Sequence, residues 1–390
     1  MKIAFVYDPI YPYVIGGAEK RYRQFAEMLA KRGHDVHLIG MKYWQGENIK
    51  IENGVNLIGI CKAVPLYGKN GSRSVFEAVY FGCNVFIHLT RNSYDIVDCC
   101  SFPYFSAIAC RLAMFMSRGK VYGKLVVTWL EVWGQQYWKK YSGFLWFAGY
   151  LTEKIVSRLT VHNISISSFT AEQMSMVLDM EKSCISIIPC GIDYGHLCYQ
   201  SSAVKESRII YVGRIIEHKK VDLLIEAFKD LLAEGFLPRE YKGLKLQIIG
   251  RGPDEAKCRK LAQKLGIAGS VEFSGIVEEE DVQSAISRSM IFVLPSEREG
   301  LGISVVESMA LGTPVAARNA ELSAVKGIIK NGVSGILFDD KMGLKDAVIR
   351  LLSDEPLYKT MVREGRKTSS EYDIQAKITP KLENYYKTRF

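Results

Sequence analysis

The sequence predicts an α/β protein built from two doubly wound parallel sheets, and three observations lead there. Short apolar runs alternate with amphipathic helical stretches through both halves of the chain. The first strand-to-helix turn is glycine-rich, at Gly16-Gly17. The strand–helix plan then restarts at Arg208 after a break at Pro189-Cys190-Gly191, in a chain of 390 residues that has room for ~two or three domains.

Each element follows from its pattern. Ile3–Tyr7 is an apolar run that ends at Asp8. Ala18–Lys31 places Ala18, Tyr22, Phe25, Ala26 and Leu29 at helical spacing, Gly33 stops it, and Val36–Ile39 is the next strand. In the second half, strands are expected at Ile209–Val212, Leu244–Ile249, Val271–Phe273 and Ile291–Leu294. The helices between and beside them are Val221–Ala233, Pro253–Leu265 and Glu280–Ser287. A strand at Cys184–Ile188 precedes the joint and no Pro/Ser-rich linker follows it. Two closely apposed Rossmann-like domains with a cleft between them are therefore expected, at 1–190 and 191–372, with a last helical stretch over Asp373–Phe390 (373–390).

Apolar residues make up 48% of the chain and charged ones 24%, a globular composition that excludes disorder and fibrous repeats. The apolar runs fall short of the ~18 residues that span a bilayer, so neither a membrane anchor nor a signal peptide is expected. Nine cysteines, an odd count without a C-x-x-C pair, suit buried thiols in a reducing cytoplasm better than disulfides or zinc. Cys190 reads as a packing residue. The six histidines show no ligand spacing beyond His34 and His37, which read as strand-edge residues, and His218 reads as a loop residue.

The segment most suited to chemistry runs from Pro295 to Val315. A strand ends, Glu299-Gly300-Leu301-Gly302 forms a turn, and a helix starts close to Gly302. Uncapped N–H groups at a helix start bind anions, helped by the helix dipole. Glu299 before the helix and Glu307 inside it would be repelled by such an anion, so they suit neutral hydroxyls. A sugar nucleotide offers both, with a sugar on one side of its phosphates and a ribose on the other. Val212-Gly213-Arg214 ends the first strand of the second half, where open α/β sheets bind ligands. Arg214 and Lys219 can set two cations on a diphosphate leaving group. Lys220 reads as a solvated neighbour. No D-x-D occurs, so a catalytic divalent ion has no clamp and no metal or other cofactor is expected.

Taken in order, Gly16-Gly17-Ala18-Glu19, Pro189 with Gly191 and Asp193, Val212-Gly213-Arg214 with Lys219, and Glu299 with Glu307 in an E-x7-E pattern resemble the retaining glycosyltransferases of family 4. The resemblance covers nearly the whole chain and implies the GT-B architecture. It also implies that Arg214 and Lys219 meet the donor diphosphate. Glu299 and the amides of Gly300, Leu301 and Gly302 would hold the donor sugar and phosphate, and Glu307 would meet the ribose. Gly252 and Val277, in segments 250–253 and 274–277, would flank the base, and Gly16 and Gly17 would approach the diphosphate. The last helix would return to the first domain. The donor would be a UDP-, GDP- or ADP-linked sugar, transferred with retention to a hydroxyl acceptor on a lipid-linked or surface-polysaccharide glycan.

One departure bears on the donor. The segment Val127-Thr128-Trp129-Leu130-Glu131-Val132-Trp133-Gly134 resembles the family's first-domain acceptor and sugar loop, with Leu130 where the family often has histidine and Glu131 beside it. An apolar side chain there implies a 6-deoxy sugar or pentose, or a sugar bound differently, or a drifted loop without consequence. Two rivals remain at this point: a non-catalytic binding relative, and a GT-B epimerase, for which no acid–base pair is apparent.

Charge is uneven. Lys plus Arg number 51 against 42 Asp plus Glu, and residues 101–160 hold eight basic side chains against two acidic ones, with fourteen of the 43 aromatics. Cations mixed with apolar bulk suit an anionic membrane surface, or a helix that buries its aromatics and leaves its lysines in water. Nucleic acid is not the expected partner, because no recognition motif accompanies the charge.

Overall fold

The computed structural model describes all residues except 69–71, 117–123, 202–203, 234–240 and 242. The chain divides into two units, Met1–Gly191 with Ile374–Phe390, and Ile192–Asp373.

Among its described residues the N-terminal unit holds eight strands: β1 (Lys2–Val6), β2 (Asp35–Lys42), β3 (Ile49–Glu52), β4 (Val55–Lys62), β5 (Ile96–Cys100), β6 (Lys124–Trp129), β7 (Asn163–Ser165) and β8 (Ile185–Ile187). Their order is β3-β4-β2-β1-β5-β6-β7-β8, parallel throughout except for the β3–β4 hairpin. That hairpin turns at Asn53 and Gly54 with φ of 49° and 78°, the left-handed pair that tight two-residue turns favour. The Asn-Gly dipeptide marks it in the sequence, and reading for apolar alternation alone passes over it.

Successive residues of β1 face opposite cores. Ile3 and Phe5 pack with Tyr22, Phe25 and Leu29 of α1 (Gly17–Lys31). Ala4 and Val6 belong to the other core, with Phe81 of α2 (Val75–Arg91), Cys110 of α3 (Tyr104–Met116) and Trp138 of α4 (Gly134–Ser142). Helices α5 (Trp146–Val156) and α6 (Ser168–Leu178) complete the unit's first pass. Gly33 ends α1 as expected: its N–H reaches the Ala30 carbonyl at 2.9 Å and that of His34 reaches Leu29 at 3.2 Å, the paired bonds of a Schellman stop.

The C-terminal unit starts with α7 (Tyr194–Gln200) and alternates β9 (Glu206–Val212), α8 (Val221–Leu231), β10 (Lys245–Ile249), α9 (Glu255–Lys264), β11 (Val271–Gly275), α10 (Glu279–Arg288) and β12 (Ser289–Leu294). The two-residue β13 (Arg298–Glu299), α11 (Ile303–Ala310), β14 (Val315–Arg318), the two-residue β15 (Leu322–Ser323), β16 (Ile336–Phe338), α12 (Lys341–Ser353) and α13 (Glu355–Ser369) follow. Its main sheet is parallel, in the order β11-β10-β9-β12-β14-β16. The chain thus builds leftward from β9, then crosses to β12 on β9's other side. The gap between the carboxyl ends of β9 and β12 is the switch point at which such sheets bind ligands.

Beyond α13 the chain rejoins the N-terminal unit through a π-helical turn, Ile374–Ile378, and α14 (Thr379–Arg389), whose first turn takes Pro380. The Tyr386 hydroxyl donates to the buried Asp98 at 2.6 Å, and Glu383 pairs with Arg32 at 2.6 Å.

Several sequence expectations need correction. Tyr7 lies beyond β1, α8 stops at Leu231, and α9 starts two residues after Pro253. His34 precedes β2, where it meets Glu383 at 3.1 Å. His37 is not at an edge, because β2 is bonded on both sides; its ring stands edge-on to Tyr94 at 5.2 Å. Arg118 and Lys120 of the basic region lie outside the described residues. Among the described residues no helix is long and apolar enough to cross a membrane.

Candidate active site

The loops that leave β9 and β12 at the switch point carry most of the donor-site residues named above. After β9, the Tyr211 hydroxyl donates to the carbonyl of Arg214 at 2.9 Å and so fixes the turn that presents that side chain. The chain then forms a 3-10 turn at Glu217–Lys219 and enters α8 through Lys220, whose φ of 51° is left-handed. A lysine held there marks a constrained loop. Lys220 is not merely solvated, since its ammonium stands 3.3 Å from Glu297.

After β12, Glu299 is held by the short parallel pairing of β13 with β15. Besides the Lys220–Glu297 pair, the two loops meet at two further points: the Glu297 N–H donates to the His218 carbonyl at 2.8 Å, and Lys219 Nζ donates to Glu299 Oε1 at 2.6 Å. Lys219 and Glu299 are both largely buried. The sequence reading assigned them to separate parts of a donor, and the structure brings them into direct contact.

Gly302 caps α11 without a side chain, at φ 89°. A Cβ there would stand 2.6 Å from Val325 Cγ2, so both conformation and space call for glycine. The first-turn amides of α11 are left without a side-chain cap, and Glu307 emerges one turn on, half-buried like Ile303 and Ser304. Leu301 is buried and Gly300 half-buried beside them.

Gly252 has a structural reason of its own. Its Cβ would stand 2.0 Å from the Ile215 carbonyl, and the Ile215 N–H donates to Arg251 at 2.9 Å, so the β10 loop braces the loop that carries Arg214. Val277, half-buried, follows β11 on the same side.

In the N-terminal unit, Gly16 caps α1 in extended conformation and the Glu19 carboxylate folds over it, whereas a Cβ on Gly17 would meet open space. Leu130 leaves the end of β6 half-buried against the core that contains Tyr22 and Phe25, and Glu131 accepts from the Trp133 indole at 2.6 Å. Sequence reasoning missed a neighbouring charge cluster. Asp8, wholly buried at the end of the first strand–loop, pairs with Arg73, whose Nε also reaches Glu77 at 3.2 Å. Burial pushes the Glu77 carboxyl above its ordinary range, with Arg73 opposing the shift. Asp8 had been visible as the residue that ends the first apolar run; only its partner was not.

The chain matches the family described as Glycosyltransferase Family 4 over residues 15–195, and the one described as Glycosyl transferases group 1 over residues 200–368. An uncharacterized glycosyltransferase of Haemophilus influenzae is 31% identical over 175 residues, 44% of this chain and 47% of that protein, so the aligned stretch spans about half of that relative. The capsular polysaccharide biosynthesis glycosyltransferase CapM of Staphylococcus aureus is 27% identical across 63% of this chain and 67% of its own. The structure of HepE from Anabaena, solved in complex with UDP and glucose, superposes over 100% of both chains with a TM-score of 0.72 and 16% identity, a likeness of fold. With both units matched and the α/β plan shared throughout, this chain belongs to the family 4 glycosyltransferases of GT-B fold, its C-terminal unit being a group 1 domain.

Proposed function

We propose that this protein is a retaining glycosyltransferase that moves a hexosyl or deoxyhexosyl unit from a nucleotide-sugar to a hydroxyl of a lipid-linked or surface-polysaccharide glycan. The observation that carries the reading is the Lys219–Glu299 contact at 2.6 Å, which joins the two loops of the switch point beside the uncapped start of α11. Diphosphate charge would fall on Arg214, Lys219 and the amides of residues 300–302, with Glu299 accepting from sugar hydroxyls and Glu307 from the ribose. The bond from the anomeric carbon to the phosphate oxygen breaks as the acceptor oxygen bonds to that carbon on the same face. The acceptor proton passes to the departing phosphate. No protein nucleophile and no metal is then required, because fixed cations and amides stabilise the leaving group.

The complex of HepE with UDP and glucose supports a nucleotide-sugar donor, and the biosynthetic name of CapM supports a polysaccharide acceptor. Nine cysteines without a disulfide support a reducing, cytoplasmic setting. The apolar surroundings of Leu130 support a donor without a 6-hydroxyl, and matched 6-hydroxy and 6-deoxy donors test it: faster turnover of the hydroxylated sugar rejects that part.

A thermal-shift series with UDP, GDP and ADP, with and without EDTA, tests the reading as a whole. One nucleotide at 100 times its Kd should add about 2.7 kcal/mol of stability, in EDTA as well. No response to any of the three, or a response abolished by EDTA, rejects the donor site or its metal independence.

A further inference from the structure

Helices α2, α3, α4 and α5 cover one face of the N-terminal sheet, and the outward sides of α2, α3 and α5 carry exposed apolar residues. Phe144 is 89% exposed, Phe115 84% and Phe76 71%, and Leu112, Phe147 and Leu151 are exposed with them. These positions recur at helical spacing, 112-115 on α3 and 147-151 on α5, with Phe144 in the 3-10 turn Gly143–Leu145 just ahead of α5. Helices α3 and α5 thus each turn an apolar stripe outward while the opposite stripe fills the core, and α4 turns out Gln135, Gln136, Lys139 and Lys140. Trp133 and Trp138 are on that inner side: their rings stand 4.8 Å apart, and Trp138 is buried. The aromatic wealth of residues 101–160 therefore divides between core and surface, and the surface part continues onto α2, outside that region.

Charge on the same face is one-sided. Arg91, Arg111, Lys139 and Lys140 are exposed, and the two acids of these helices, Glu77 and Glu153, are wholly buried. Glu153 turns inward to accept from the Trp133 and Gly134 N–H groups at 2.8 and 2.9 Å and from the Trp138 indole at 3.1 Å. Among the described residues of the four helices no carboxylate reaches water.

We propose that this face docks on an anionic lipid bilayer, with the Phe144 turn and the α5 stripe entering the headgroup boundary and the lysines and arginines among the phosphates. A second copy of the chain is the poorer occupant. A two-fold contact sets each patch against itself, and would press Lys139 and Lys140 toward their own copies with no acid to answer them. Docking goes beyond the transfer reading and does not depend on it, although it would bring the enzyme to a lipid-linked acceptor.

The test is co-sedimentation of the full chain with vesicles of phosphatidylcholine alone and of phosphatidylcholine mixed with phosphatidylglycerol. Binding to the mixed vesicles only, weakened by salt, is expected. Lys139→Gln with Lys140→Gln should weaken it about 30-fold, at about 1 kcal/mol for each cation. Phe144→Ser with Phe147→Ser should weaken it at least ~10-fold and leave the salt dependence in place. Equal binding to both vesicles, or indifference to both pairs of substitutions, overturns the proposal. So does a wild-type dimer that the phenylalanine pair dissolves. The thermal response to nucleoside diphosphates should be the same in all these variants; its absence with vesicle binding intact would fault the transfer reading and leave this one standing.

Discussion

At the carboxyl edge of the C-terminal sheet, the loops after β9 and β12 meet through Lys219 and Glu299, and neither residue is sealed from solvent. At the same edge of the N-terminal sheet, Asp8 is wholly buried against Arg73, and Glu131 is engaged with the Trp133 indole. The two sheets share a winding rule and use charge differently. In one, ionic groups stand partly open to solvent beside helix amides that no N-cap side chain meets. In the other, they hold segments together, and removal of one partner strands a buried charge. The winding alone therefore does not say which strand-end charges stay open and which are locked, and function is not read from it.

Substitutions should separate the two regions. The largest effect is expected from Glu299→Ala and Arg214→Ala, each lowering sugar transfer at least ~100-fold, measured as nucleoside diphosphate release, with the melting temperature nearly unchanged. Near-normal rates in either variant would remove the contrast at its stronger end. Next is Asp8→Asn, which leaves Arg73 without its closest counter-charge and should cost about 3 kcal/mol in urea denaturation. A neutral result would mean that the N-terminal edge is no more locked than the other. Gly302→Ala is expected to cost about 1–2 kcal/mol, because a left-handed φ and the 2.6 Å approach of Val325 both oppose a Cβ. It should also weaken the thermal response to nucleoside diphosphates, which an ordinary structural glycine would leave alone.

The smallest effect concerns pH and the returning helix. Lys387, then Arg32 and His34, hold the Glu383 carboxyl down to about 2 from an ordinary 4.5, against the opposing cost of burial. A carboxylate with a lowered folded pKa stabilises fully above its unfolded value and loses that contribution as pH falls. The urea midpoint should therefore decline between pH 4.5 and 2, and Glu383→Gln should flatten that decline while lowering the midpoint at neutral pH. An unchanged slope would show that α14 is held by Tyr386 and its core contacts instead.

What the chain showed before folding was local. Alternating runs put β1, β2 and β8 to β12 within a few residues of where they lie and passed over β3 to β7 and β13 to β16, Gly33 marked the end of α1, and the glycines at 300 and 302 marked a turn into a helix. Lys219 and Glu299 stood out one at a time, each by its own neighbours. Their contact did not, because 80 residues separate them and only the placement of β12 beside β9 brings the loops together. Asp8 and Arg73 were hidden for the same reason. The aromatic stretch showed a further limit: composition announced Trp138 and Phe144 alike, and only packing sent one inward and the other out.

Period, turn chemistry and composition thus determined the fold class and the residue types available at each strand end, because steric and hydrogen-bonding preferences act over a few residues. Which charges meet, which are sealed and which face of a helix stays in water were decided by tertiary structure. Desolvation and Coulomb energies depend on separation in space and on burial, and neither is written in the order of the residues.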